Sequence, residues 1–147
     1  MEKNKQKDPY GYIIYYLDIE DHGTPHIIDY ADGDLRNRII NPDEIIIPDE
    51  KIKLKITYPL SVEIVHEYEQ KGGFSRKDLF RHIYEAYKNI YDEEEQQVGD
   101  PGTYENLYNR KKSEGSYGIW GHELGDLYLE SFRYDPKTKI VNLDIGS

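Results

Sequence analysis

Residues Gly73-Phe74-Ser75-Arg76-Lys77-Asp78 open a run of helix-forming residues that lasts to about Gln97, and no other stretch constrains the fold as strongly. Ser75 can accept the orphan backbone N–H of Asp78, while the Asp78 carboxylate reaches back to the N–H of Ser75, a capping-box arrangement. Behind it, Leu79, Ile83, Ala86 and Ile90 recur at helical spacing, with Phe80, Tyr84, Tyr87 and Tyr91 one position on. The two rows merge into one broad apolar stripe, so this helix lies on something large and flat. Most of the remaining chain reads as β-strand. The expected fold is α+β: a twisted antiparallel sheet of about five to seven strands with one long helix packed on a face.

The strand candidates are uneven. Lys51-Ile52-Lys53-Leu54-Lys55-Ile56-Thr57-Tyr58 alternates cleanly, which predicts one buried face and a lysine ladder in solvent. Tyr10 to Ile19 is apolar on both faces and reads as a central or well-covered strand. His26 to Tyr30 reads as a short strand. Arg36 to Ile40 and Glu44 to Ile47 are short apolar pieces interrupted by Asn41-Pro42-Asp43, and proline confines such pieces to edge strands or a wrapping loop. Val62 to Tyr68 resumes a β pattern after Pro59. Leu127 to Tyr134 and Lys139 to Ile145 flank Asp135-Pro136-Lys137-Thr138, a hairpin signal. Residues 1–9 are expected to form a disordered tail and residues 10–147 a single α+β domain.

Charge narrows the partners. Twenty-nine Asp plus Glu oppose nineteen Lys plus Arg, a net charge of −10. Phosphate-rich partners demand a basic surface, so no nucleic-acid partner and no anionic membrane partner is expected. The best local basic patch is Arg76-Lys77 with Arg81 and Lys88, read as a solvated helix face. There is no cysteine, which excludes disulfides, zinc-thiolate sites and thiol nucleophiles. No apolar run approaches the roughly 18 residues of a membrane span. The expectation is a soluble intracellular protein. Fifteen tyrosines against one Trp and three Phe suit β-surfaces and core rims, where the ring packs and the hydroxyl stays wet.

At the end of the long helix, Asp92-Glu93-Glu94-Glu95 sets four carboxylates at the unfavourable end of the helix dipole. Compensation is expected from Arg110-Lys111-Lys112, with fraying of the helix end as the alternative. The 98–116 stretch between them is polar, Gly-rich and long for a loop in a compact domain, and such segments are usually functional or mobile.

Beyond it, Tyr117-Gly118-Ile119-Trp120-Gly121-His122-Glu123-Leu124-Gly125-Asp126 holds the single Trp and a histidine beside two carboxylates. Tyr117, Trp120, His122, Glu123 and Asp126 are the candidate binding residues. His122, Glu123 and Asp126 could ligate a divalent metal or form a His–carboxylate pair for acid–base work. A zincin needs His-Glu-x-x-His on a helix, and here Asp126 stands where the second His should be. No metal site and no cofactor is therefore assigned, and no catalytic residue is named. The plain structural reading is a turn-rich corner in which Trp120 fills the core under the helix and His122 hydrogen-bonds backbone or Asp126. The remaining histidines read separately: His66 in a strand, His82 as a wet helix residue, and His22 with His26 as a pair only if their loop folds them together. The acidic run from Asp29 to Asp34 fails the EF-hand spacing in either alignment. No phosphate loop, nucleophile elbow or Ser-x-x-Lys occurs.

Two segments carry a resemblance. Gly73 to Leu79 leading into Ile83-Tyr84-Glu85-Ala86-Tyr87 and Ile90-Tyr91-Asp92-Glu93-Glu94 is one, and Tyr117 to His122 running into Leu124-Gly125-Asp126-Leu127-Tyr128-Leu129-Glu130 is the other. Together they resemble an uncharacterised protein group of large DNA viruses and some protists. The resemblance covers the C-terminal half, implies a viral or protist origin, and includes no catalytic residue.

The functional expectation is a non-enzymatic protein-binding or structural module whose partner is another protein or a second copy. It rests on the lack of a strong catalytic motif, on edge strands such as Lys51 to Tyr58 that could pair, and on a tyrosine-rich surface. The alternative is a small metal-binding protein or enzyme using the cluster at His122, Glu123 and Asp126.

Overall fold

The computed structural model describes residues 5–7, 13–16, 24–31, 33–103 and 110–147. The elements are β1 (Lys5–Lys7), β2 (Ile13–Tyr16), α1 (Asp34–Arg38), β3 (Ile45–Ile47), β4 (Lys51–Ile56), β5 (Ile64–Glu69), β6 (Phe74–Ser75), α2 (Arg76–Val98), β7 (Tyr128–Asp135) and β8 (Ile140–Gly146). The fold is α+β: a six-stranded sheet in the order β1-β2-β7-β8-β4-β5, a two-stranded β3-β6 ribbon, and one long helix.

Helix α2 starts where the capping pattern predicts. The Asp78 N–H donates to Ser75 Oγ at 3.2 Å, and the Ser75 N–H donates to Asp78 Oδ2 at 3.1 Å. Its stripe of Leu79, Phe80, Ile83, Ala86, Tyr87, Ile90 and Tyr91 is buried in one core with Ile52, Leu54 and Ile56 of β4 and Leu129, Phe132 and Tyr134 of β7. Each fully buried aliphatic or aromatic side chain contributes about 1.5–3 kcal/mol, so this layer is the main source of stability. The other sheet face carries the predicted ladder of Lys51, Lys53 and Lys55.

Four features depart from the sequence reading. First, the sheet is mixed: β4 runs antiparallel to β5 but parallel to β8, with Leu54 opposite Val141. Strand β4 is therefore interior, with a partner on each side, and cannot serve as an edge. Second, Arg36–Arg38 belong to α1 rather than a strand or loop. Gly33 enters it at φ +79°, a left-handed conformation glycine adopts freely. Third, Ile27–Tyr30 form a 3-10 turn, with His26 bridging to Tyr128, in place of a second strand. Fourth, Lys5–Lys7, within the expected tail, lie as β1 against β2. Much of the Tyr10 to Ile19 strand candidate, and His22, fall outside the described residues.

Within the proline-flanked Glu44 to Ile47 piece, Ile45–Ile47 form β3, paired among the described residues with β6 alone. The expected hairpin is β7–β8, closed by the Lys139 N–H to the Asp135 carbonyl at 2.8 Å. Among the described residues, no helix is long and apolar enough to cross a membrane.

Candidate functional site

Glu94, one turn before the end of α2, organises the corner that holds the candidate residues. Its side chain is fully buried, at 0% exposure. It accepts the hydroxyl of Ser113 and the backbone N–H groups of Gly115 (3.2 Å), Tyr117 (3.0 Å) and Gly118 (2.9 Å). The loop from Ser113 to Ile119 is thus wrapped around one carboxylate. Burial pushes the Glu94 carboxyl up, but the Ser113 hydroxyl and the loop N–H donors outweigh it and hold it below its ordinary value. The compensation expected from Arg110-Lys111-Lys112 is supplied instead by backbone donors. Glycine is required at Gly115, where a Cβ would stand 2.2 Å from Glu94 Oε1.

This clamp decides which side chain fills the core. Ile119 is at 0% exposure, whereas Trp120 is at 45%. The expectation that Trp120 plugs the core beneath α2 is corrected: Ile119 takes the inward position, its N–H donating to Ser113 Oγ at 3.1 Å and its carbonyl accepting the Ser113 N–H at 2.7 Å. Trp120 lies edge-on to Tyr58, ring centroids 5.7 Å apart, and its backbone N–H donates to the Pro59 carbonyl at 3.1 Å. Tyr117 is half-buried; its phenol donates to Glu93, which pushes its pKa up to about 12.

His122 sits with its side chain 25% exposed, Nδ1 3.8 Å from Asp126 Oδ2, too far for a hydrogen bond. Asp126 Oδ2 accepts the Glu123 N–H at 3.0 Å. Glu123 turns away toward the buried Arg110, 3.5 Å from its Nε. The three residues of the sequence cluster therefore do not converge. Among the described residues, no group of three His, Cys, Asp or Glu side chains could hold a metal ion. The structure does add a partner from afar. His26, whose Nδ1 donates to the Gly125 carbonyl at 3.0 Å, lines the same open cavity of about 350 Å³ as His122 and Asp126. Neither His26 nor Tyr58 stands out in sequence beside this corner, because only the sheet brings them there.

His82, read as a wet helix residue, is stacked on Tyr68 with centroids 4.2 Å apart. The basic helix patch is neutralised: Arg76 is buried against Glu44 at 2.6 Å, Lys77 meets Asp43 at 2.7 Å, Arg81 meets Asp78 at 3.7 Å and Lys88 meets Asp92 at 2.7 Å.

The second candidate surface is the free edge at β5. The Gln70 N–H donates to the Glu50 carbonyl at 2.8 Å, which makes this pair, and every second pair along the ladder, hydrogen-bonded. Ile64, His66 and Tyr68 therefore direct their backbone groups at β4. Val65, Glu67 and Glu69 direct theirs outward. The Lys53 N–H donating to the Lys139 carbonyl of the β8 side at 2.8 Å fixes the same phase from across β4. Val65 is 45% exposed and Val62, just before the strand, 41%.

The chain matches no family model, no curated protein and no solved structure.

Proposed function

We propose that this protein is a non-enzymatic interaction module that takes up an extended segment of a protein partner as an added strand along β5. The observation that carries this reading is the outward row of backbone donors and acceptors at Val65, Glu67 and Glu69, unpaired among the described residues. Natural sheets usually blunt such a row with proline, a bulge or a covering element, because an open edge templates pairing. Here a regular six-residue strand carries none of these among the described residues, and its edge is guarded only by the charges of Glu67 and Glu69. Strand addition draws affinity from main-chain hydrogen bonds and specificity from alternate side chains. The dispersal of His122, Glu123 and Asp126 favours the module over a metal or acid–base site built from those three. A viral or protist origin rests on the resemblance of the C-terminal half alone.

The test is a display selection of extended ten-residue peptides against the immobilised full chain, repeated with Glu67→Pro. That substitution deletes an outward N–H while leaving the β4–β5 ladder whole. Selected peptides are expected to lose about tenfold in affinity on the variant, the worth of one or two backbone hydrogen bonds. Binders that ignore the substitution, or no binders at all, would sink the reading.

A further inference from the structure

We infer that the strand received at β5 is amphipathic, with Lys or Arg on one face and apolar residues on the other. This rests on the strand-addition reading above. The geometry follows from the pleat. On the solvent face, β5 presents Val65, Glu67 and Glu69; on the other it presents Ile64, His66 and Tyr68, half-buried against the core. A strand laid along the edge sets its own side chains about 4.5–5.5 Å from these, one face against the glutamates and one against the row in which Ile64 and Tyr68 flank His66. Among the described residues, neither Glu67 nor Glu69 has an ion-pair partner within 4 Å, although Lys53 and Lys51 stand opposite them on β4. Their carboxylates are open on the side from which a new strand arrives.

The molecule already contains one strand of the required kind. Strand β4 reads Lys-Ile-Lys-Leu-Lys-Ile and pairs with β5 from the inner side, Lys51 to Glu69, Lys53 to Glu67 and Leu54 to His66. The incoming strand repeats that pattern from the outer side, so each glutamate comes to lie between two cations. The same charges oppose a second copy. With Glu63 counted at the strand's start, an antiparallel β5–β5 pair sets glutamate across from glutamate in every register that overlaps five or more residues, an unfavourable juxtaposition. The partner is accordingly a basic-faced strand of another protein, not this chain's own edge.

The experiment titrates three proteins with three soluble-tagged peptides, measured by fluorescence anisotropy: the β4 sequence Lys-Ile-Lys-Leu-Lys-Ile, its Glu-for-Lys counterpart, and a block-scrambled Lys-Lys-Lys-Ile-Leu-Ile. Proteins are wild type, Glu67→Pro, and Glu67→Gln/Glu69→Gln, which removes both carboxylates without setting lysine against lysine; circular dichroism checks each fold. Wild type is expected to prefer the alternating basic peptide over both others by about tenfold, with the preference over the acidic peptide collapsing in the double Gln variant and fading as salt is raised. Equal binding of basic and acidic alternating peptides, abolished by Glu67→Pro, would overturn the charge inference and leave strand addition standing. Equal binding of the scrambled peptide, or binding indifferent to Glu67→Pro, would mean adsorption to an acidic surface and overturn both. Absence of binding by every peptide would also overturn both.

Discussion

Two single residues carry structural weight that their types do not advertise. Glu94 is a buried carboxylate whose donors come almost entirely from one loop, so removing its charge leaves that loop's N–H groups facing a poorer acceptor. Glu94→Gln is expected to cost about 1.5–3 kcal/mol in urea unfolding at neutral pH, the range for hydrogen bonds to a charged group. Its folded-state pKa lies below the unfolded value. The stabilisation is therefore present above the ordinary carboxylate range and is lost as pH falls through the lowered folded value. The same titration on Glu94→Gln should show a shallower loss of stability in acid. His82 acts in the same direction at a higher pH. Burial against Tyr68 and Phe74, then the neighbouring Arg81 charge, push its pKa down, outweighing Glu85 and Asp78. The unfolded chain takes up that proton first, so stability should fall as pH drops below about 6.5. His82→Phe is expected to flatten the profile between pH 7 and 5, and an unchanged slope would show the ring to be solvated.

At the scale of elements, α2 and β4 were legible because their signals are local. The Ser75–Asp78 box, the 3.6-residue stripe and the lysine–aliphatic alternation each need only neighbours in sequence. Helix α1 was not legible: five residues are too few to display a period, and Arg-Asn-Arg followed by two isoleucines imitates a strand end. The role of β4 was misread for a different reason. Alternation tells that one face is buried; it is silent on how many strands lie alongside, and β8 arrives from the far end of the chain in parallel. The phase of the β5 edge yields its own check. Glu67→Pro, whose N–H points out, should leave the thermal midpoint within a few degrees of wild type, whereas His66→Pro, whose N–H feeds Leu54, should cost about 3 kcal/mol or more. Equal damage from both would place the edge phase wrong.

For the whole molecule, the division follows from range. Residue order alone determined the α+β class, the long helix and its face, the β7–β8 hairpin and the acidic balance, since these depend on short-range periodicity, turn chemistry and composition. It also marked 117–126 as unusual through its glycines and its single Trp, but not what the corner does. Which way Trp120 faces, that Glu123 leaves His122 for Arg110, that His26 joins the cavity, and that β5 rather than β4 is exposed were decided only by tertiary structure. Each depends on segments far apart in the chain meeting across the sheet. The Glu94 clamp is the clearest instance: a carboxylate that looks misplaced at a helix C-terminus becomes stable only when a loop some twenty residues on turns its backbone N–H groups inward.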